Sequence, residues 1–292
     1  MDIISIGKEA VYRRLRGEVP FTFYEVSLLS QSLGISLDQI VGTNRAEGAV
    51  FNLNVSNNMS QMESYHDILK RYHKLFTFAK EDPKSVLSAA CNIVPFTFYS
   101  PYERLTKFRL CRWMHQNNGM KITASMSDIV VTEKILESQR KLMQECRQVP
   151  STYTILDNNI FQSLVREIKY FAGLNMLSDD DIEVMKQELN RLLDEMEQIA
   201  ARGEYPNGNK VYLYLSNINF EATYTFLEKG SFQLCMFRLY AINYMDSQHP
   251  EICRAQKEWI QSLKRYSTLI SQSGEIQRMI FFTKQREIVD TL

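Results

Sequence analysis

A short basic segment near the amino end contains the residue types with the clearest chemical potential. Lys8, Arg13, Arg14 and Arg16 lie within nine residues, opposed there only by Glu9. Cationic side chains on one short helix can bind the phosphates of a nucleic acid, and lysine and arginine also pair with guanine edges. The simpler alternative is a basic helix face that only meets solvent, because most charge runs do no more than that.

The sequence contains no recognisable metal-binding or catalytic motif. His66 and His73 are seven residues apart, whereas metal-binding histidines on one helix usually stand three or four apart, so we interpret this pair as coincidence. The sequence has no GxSxG, no GxxxxGK[ST], no GxGxxG and no HExxH. We therefore predict a protein that is not an enzyme and has no cofactor or metal. An unrecognised catalytic cluster stays open as a third hypothesis.

Two further groups of residues invite a ligand, and each has a simpler explanation. Tyr212, Tyr214, Tyr224 and Phe226 alternate along predicted strands and could line a pocket, although aromatic residues on strands more often belong to the core. The Ser- and Thr-rich stretch before Gly274 could hold an anion at a helix N-terminus. An ordinary capped turn explains that stretch equally well.

Composition limits the possible function classes. The chain has 292 residues, 45% of them hydrophobic, and its 34 basic and 34 acidic residues give no net charge. Any contact with nucleic acid must therefore come from a local patch. Five cysteines, without a CxxC pair, indicate reduced buried thiols in a cytoplasmic protein. The sequence shows no signal peptide and no apolar run long enough for a membrane span, so we predict no membrane partner.

The elements that would position the basic residues are marked by local signals. Gly17 suits a left-handed helix stop directly after the basic run. Thr22 with Glu25 forms a capping box at the start of a second helix, and Ser36 with Gln39 forms another. Three apolar residues of the basic helix are expected to face inward: Ala10, Val11 and Leu15.

Residues 4–42 resemble the second half of a Cro-type, lambda-repressor-like helix-turn-helix domain. Residues 11–17 (VYRRLRG) match the end of its recognition helix, and residues 33–38 (LGISLD) match the junction of its last two helices. In that family the recognition helix enters the DNA major groove. The first two helices of the family would precede residue 5, so we expect either a start further upstream, a shortened chain or a unit that no longer binds DNA.

The resemblance implies roles for five residues. Lys8, Glu9 and Tyr12 would read base edges in double-stranded DNA, with Arg13 close by. Arg16 would contact phosphates. Proteins of this family pair two recognition helices across a twofold axis, so a homo-oligomer is implied.

The remainder of the chain is predicted to be mainly helical. Period-two alternation predicts a small antiparallel sheet at about 210–241, to which a short strand at 151–155 could be added. The fold class is therefore α+β, predominantly α-helical: a partial helix-turn-helix unit followed by a large helical domain with a small antiparallel sheet. Predicted helices cover about 63–81, 84–92, 101–116, 127–147, 157–172, 178–199, 250–271 and 275–289.

The predicted domains are a partial DNA-binding unit at 1–43, a linker at 44–62 and a regulatory or dimerisation domain at 63–292. The apolar stripe at 182–199 is a candidate dimer seam, although packing on the helix at 157–172 explains it more simply. The leading hypothesis is a transcriptional regulator that binds specific DNA sequences and senses an unknown effector. The alternative is a protein-interaction module that does not bind DNA, either a regulator remnant or an antitoxin-like binder.

Overall fold

The computed structural model of the chain describes residues 3–33, 37, 49–54, 60–116, 125–239 and 242–292. The chain divides into two units, Met1–Val50 and Phe51–Leu292. The predicted boundary at residue 43 and the junction LGISLD fall in or next to segments outside the described residues.

The described residues of the first unit include the helices α1 (Lys8–Leu15) and α2 (Phe23–Leu33). Helix α1 buries none of its residues completely. Among the described residues of this unit, only Ile4 and Glu25 are buried. A unit with so little apolar surface removed from water gains little from the hydrophobic effect.

The second unit combines eight strands with eight helices among its described residues. The strands are β1 (Asn52–Asn54), β2 (Val86–Cys91), β3 (Ser151–Leu156), β4 (Lys210–Ser216), β5 (Tyr224–Lys229), β6 (Phe232–Arg238), β7 (Tyr244–Ser247) and β8 (Ser267–Leu269). The helices are α3 (Gln61–Ala79), α4 (Phe96–Tyr99), α5 (Glu103–Gln116), α6 (Glu133–Arg147), α7 (Ile160–Gly173), α8 (Asp179–Arg202), α9 (Pro250–Arg265) and α10 (Glu275–Asp290). A 3₁₀ turn lies at Met126–Asp128.

All eight strands form one mixed sheet in the order β1-β7-β6-β5-β2-β3-β4-β8. Strands β2, β3 and β4 run parallel to one another, and the remaining neighbours are antiparallel. Parallel neighbours need long crossover connections. Helices α4 to α6 connect β2 to β3, and helices α7 and α8 connect β3 to β4.

The two faces of the sheet pack on different helices. Leu213 on β4 and Leu227 on β5 belong to the two larger cores, which contain buried residues of α3, α5, α6, α7, α8 and α10. On the opposite face Ala90 and Ile155 pack against α9, which contributes Ile260. The central strands are therefore covered on both faces, as strands of parallel sheets usually are.

Local capping signals set several helix ends. Ser178 accepts a hydrogen bond from the Asp181 backbone N–H at 3.1 Å, and the Asp181 carboxylate accepts one from the Ser178 backbone N–H at 3.0 Å. This capping box starts α8 where the sequence predicts it. At the other end Gly203 adopts φ +67°, a left-handed conformation that glycine takes without steric cost.

The predicted fold class is wrong in its sheet. An eight-stranded mixed sheet replaces the small antiparallel sheet expected at about 210–241. The main cause is β2, which the sequence analysis assigns to a helix at 84–92. Its residues VLSAAC show no alternation, because both faces of the strand are covered, and a short apolar run of that kind does not separate strand from helix.

Three smaller elements were also missed. The predicted helix at 250–271 ends at Arg265, and β8 follows it as an edge strand beside β4. Strand β7 lies where no element was expected. In the segment predicted as a linker, β1 pairs with β7, and Ser60 caps α3.

The stripe on α8 is buried inside the chain. Met185, Leu189, Leu192 and Met196 lie in the largest core, and α8 packs mainly on α10, α5 and β4. The predicted packing on the 157–172 helix is therefore not its main contact, and the stripe is not exposed as a dimer seam. No helix among the described residues combines the length and the apolar character needed to cross a lipid bilayer.

Candidate nucleic-acid interface

Helix α1 places all five predicted DNA-contacting residues on its solvent side. Lys8, Glu9, Tyr12 and Arg13 lie on the helix, and Arg16 is its C-terminal cap residue. All five are exposed. Glu9, Tyr12, Arg13 and Arg16 follow Lys8 by one, four, five and eight positions. With this spacing, the five side chains form one continuous surface on the same side of the helix. We call this surface of Lys8, Glu9, Tyr12, Arg13 and Arg16 the α1 face.

The end of α1 is built as the sequence predicts. Gly17 has φ +75°. Its backbone N–H donates to the Arg14 carbonyl oxygen at 3.0 Å, and the Glu18 N–H donates to the Arg13 carbonyl oxygen at 2.9 Å. These two bonds define a Schellman motif, which satisfies carbonyl groups that have no partner within the helix. The chain therefore leaves α1 directly after Arg16.

A hydrogen-bonded ion pair fastens α1 to α2. The Glu25 carboxylate accepts from Arg14 Nε at 3.1 Å and lies 2.9 Å from Arg14 Nη2, and it also accepts from the Thr22 backbone N–H at 2.8 Å. The Thr22 hydroxyl in turn accepts from the Glu25 N–H at 3.3 Å, which confirms the predicted capping box. Hydrogen bonds lower the pKa of Glu25. The bond from the Thr22 backbone has the largest effect, and the bond from the Arg14 side chain has the second largest.

The role of Arg14 was missed by the sequence analysis. Its side chain turns away from the α1 face and is only 15% exposed. The capping-box pattern identifies Glu25, but no spacing rule links it to an arginine eleven positions earlier on another helix. Arg14 therefore positions α1 and is separate from the surface available to a ligand.

The charge of the α1 face is partly neutralised by its own carboxylates. Arg16 lies 2.6 Å from the Glu18 carboxylate and 3.5 Å from that of Glu9, and Arg13 lies 3.4 Å from Glu18. The Lys8 ammonium stands 5.9 Å from the Tyr12 ring centre. Exposed pairs of this kind are weak and are screened by salt, so phosphates can compete for the same cations.

One expectation about this unit is wrong. Leu15 is 69% exposed, whereas the sequence analysis places it inside. Ala10 and Val11 are half-buried. Phe23 and Tyr24 at the start of α2 are also exposed, at 80% and 71%. The second capping box, Ser36 with Gln39, lies outside the described residues.

The other candidate groups lie in the second unit. Among the strand aromatics, Phe226 is buried in the core against α9, while Tyr212, Tyr214 and Tyr224 are half-buried. Within the described ranges, no group of three or more His, Cys, Asp or Glu residues lies close enough together to hold a metal ion. All five cysteines are buried and free, which confirms the predicted thiols.

The stretch before Gly274 forms an ordinary turn. Ser271 Oγ accepts from the Leu213 N–H at 3.1 Å. Arg278 Nη1 donates to the carbonyl oxygens of Ile270 and Ser273 at 2.8 Å and 3.2 Å. These groups hold the turn against β4 and the first turn of α10, which supports the simpler of the two explanations.

No family model, no curated protein and no solved structure matches this chain. The helix-turn-helix resemblance therefore depends on the residues and geometry of the first unit alone.

Proposed function

We propose that the chain is a transcriptional regulator that binds double-stranded DNA through the α1 face. The main support for DNA binding is one observation. Four side chains project together from a helix that buries none of its residues: Lys8, Tyr12, Arg13 and Arg16. The Schellman motif ends this helix, and the Arg14–Glu25 pair joins it to α2, so the surface is presented on a fixed support. We place base reading at Lys8, Glu9 and Tyr12 and phosphate contact at Arg16.

Two further parts of the proposal concern the whole protein. We propose that it acts as a homo-oligomer, because paired recognition helices gain affinity from a two-part operator. We also propose a cytoplasmic location. The support for this location is that all five cysteines are free thiols, which persist in a reducing compartment.

Selection from random double-stranded DNA tests the proposal with the full chain. An enriched sequence is then titrated by fluorescence anisotropy against the wild type, Arg13→Ala, Arg16→Ala and Arg254→Ala. Arg254 is a matched control, because it is an arginine of α9 with a 68% exposed side chain and an ion pair of its own with Glu251. Each change on the α1 face should weaken binding about 10-fold. It should also reduce by about one the slope of the logarithm of the binding constant against the logarithm of the salt concentration.

The base readers give a second, independent readout. Lys8→Ala and Tyr12→Ala should change which sequence is enriched, because base contacts carry specificity and phosphate contacts do not. Failure to enrich any sequence, or equal effects of Arg13→Ala and Arg254→Ala, contradicts DNA binding through α1.

A protein-interaction module is the second candidate, and a specific observation favours it. Leu15, Phe23 and Tyr24 are exposed large apolar residues on the same small unit, and exposed apolar surface can mark a site of protein contact. Glu9 and Glu18 also reduce the positive charge of the α1 face. If the selection enriches no DNA sequence, this second function is the one to pursue.

A further inference from the structure

A partly open cavity of about 130 Å³ lies in the second unit, between the sheet and its helical layer. Its floor is formed by side chains of β2, β3, β5 and β6, and its walls come from α3, α4, α5 and α6. Every described lining residue belongs to Phe51–Leu292. The cavity is therefore a feature of this unit alone.

The floor of the cavity is more polar than a sheet face covered by helices usually is. Ala89 on β2 pairs with Thr154 on one side and Thr225 on the other, and all three line the cavity. Thr152 and Thr223 line it as well. Buried faces of such sheets are normally rich in valine, isoleucine and leucine. The Thr152 and Thr223 hydroxyls already donate to the Lys210 carbonyl oxygen and to Asn92. Thr154 and Thr225, on either side of the small alanine, therefore provide the hydrogen-bonding capacity and the space.

Two arginines reach this cavity. The Arg109 guanidinium of α5 lies 3.8 Å from the ring centre of Phe96 and hydrogen-bonds with the Tyr65 hydroxyl. Arg238 stands at the end of β6, and its side chain makes no ion pair within the part of the chain that the structure describes. Loss of hydration at this half-buried side chain has the largest effect on the pKa of Arg238, and the nearby charge of Arg109 has the second largest. Together they lower this pKa to about 10, so Arg238 stays protonated at neutral pH.

No aspartate or glutamate is found among the described lining residues. Two guanidinium cations that line one cavity repel each other, and an anion bound between them would reduce this repulsion. The planar guanidinium fork binds carboxylate and phosphate oxygens with two parallel hydrogen bonds. The charge of this cavity is therefore complementary to an anion.

The rest of the wall is apolar, with Phe76, Leu142, Met236 and Ile242 among its residues. Small-molecule sites typically combine such walls with a few polar groups that fix orientation. We propose that the cavity binds a small organic anion, whose carboxylate or phosphate group is held by Arg109 and Arg238 and whose apolar body packs on this wall. This inference does not depend on DNA binding by the first unit.

A surface cleft shares two lining residues with the cavity. Arg238 and Thr223 line both spaces, so they stand at the boundary between them. The cleft contains Arg112, whose guanidinium pairs with Glu167. Glu221 also lines the cleft. The carboxylates near Arg238 thus lie on the cleft side, and Glu167 already has a cationic partner.

Trp113 provides a built-in reporter of occupancy. Its indole Nε1–H donates to Asn243 Oδ1 at 3.1 Å, and Asn243 lines the cavity. The chain has one other tryptophan, Trp259, which is 48% exposed on α9. A full-length Trp259→Phe protein would therefore report the cavity through Trp113 fluorescence. The probes are benzoate and phenyl phosphate, with benzyl alcohol as the uncharged control at constant ionic strength.

We expect a saturable fluorescence change and a rise in unfolding temperature with at least one of the two anions, and neither effect with benzyl alcohol. Arg238→Met should weaken anion binding at least about 10-fold without lowering the unfolding temperature of the free protein, because it removes the repulsion between Arg238 and the neighbouring Arg109 cation. Arg254→Met, on exposed α9 surface, should leave binding unchanged.

The proposal is overturned if neither anion gives a saturable change, if benzyl alcohol binds as well as the anions, or if Arg238→Met keeps the wild-type affinity. Should Arg238→Met fail to fold, Arg238→Lys decides, because lysine keeps the charge and loses the planar fork. That variant should bind the preferred anion several-fold more weakly, and unchanged affinity would count against the site. These measurements use no DNA, so their failure leaves the proposed function untouched.

Discussion

At the scale of single residues, Glu25 determines how the first unit is held together. It accepts hydrogen bonds from the Thr22 backbone and the Arg14 side chain, and so joins the start of α2 to α1. Arg14 is thereby withdrawn from the α1 face, whereas Arg13 and Arg16 remain exposed. Neighbouring arginines of one basic run therefore have different roles, which the charge pattern alone does not separate.

The lowered pKa of Glu25 predicts a pH dependence of this joint. An acid whose pKa is lower when folded stabilises the fold above its unfolded value, here 4.5, and loses that contribution as the pH falls through the lowered pKa. We expect the Glu25 carboxyl to titrate below 4.5 by NMR, with faster exchange of the Thr22 amide at the acid end. Glu25→Gln should remove this pH dependence. Titration of Glu25 at or above 4.5 would contradict the ion pair.

At the scale of elements, a carboxylate of one helix caps another. Glu188 of α8 accepts from the backbone N–H groups of Arg104 at 3.1 Å and Leu105 at 2.8 Å, both in the first turn of α5. Those N–H groups have no partner within their own helix. Burial raises the pKa of Glu188, although the two backbone bonds act in the opposite direction. The contact thus couples the long helix α8 to the start of α5.

Removal of this cap should destabilise the second unit. Glu188→Ala leaves two backbone donors without their acceptor and should lower the free energy of unfolding by about 1–3 kcal/mol in urea denaturation. Glu183→Ala is the matched control, because Glu183 is an exposed glutamate of the same helix. Its effect should stay within about 0.5 kcal/mol. Equal effects of the two changes would show that the carboxylate is not acting as a cap.

At the scale of the whole molecule, the two units differ in how much they bury. The second unit holds three apolar clusters around its sheet, whereas the described part of the first unit buries Ile4 and Glu25 alone. Local stability follows burial and tertiary contact more than helix propensity. The first unit should therefore open more readily than the second.

Hydrogen exchange followed by mass spectrometry measures this difference directly. Amides of α1 and α2 should exchange at least about 100-fold faster than those of β2, β3 and β4 at neutral pH, because central strands open only with global unfolding. Peptides from α9, which packs on the opposite face of the sheet, provide an internal comparison within the second unit. Equal protection of α1 and β3 would mean that the first unit is as stable as the second. The same experiment with a selected DNA sequence should slow exchange in α1.

The sequence by itself determined the features that short-range contacts fix. The Gly17 stop and the Thr22–Glu25 box appear where their spacing predicts them, and α8 begins at Ser178 as predicted. Each is satisfied by partners a few positions away, so local residue order contains the necessary information. The exposure of the α1 face follows from the same helical periodicity.

Only the tertiary structure decided the sheet and what it encloses. Strand β2 exists because β3 and β5, from distant parts of the chain, satisfy its backbone groups, and its own residues carry no period that distinguishes strand from helix. The Arg14–Glu25 pair and the convergence of Arg109 with Arg238 likewise join residues on separate elements. Such contacts depend on how elements pack in space, and the spacing of residues along the chain does not specify that packing.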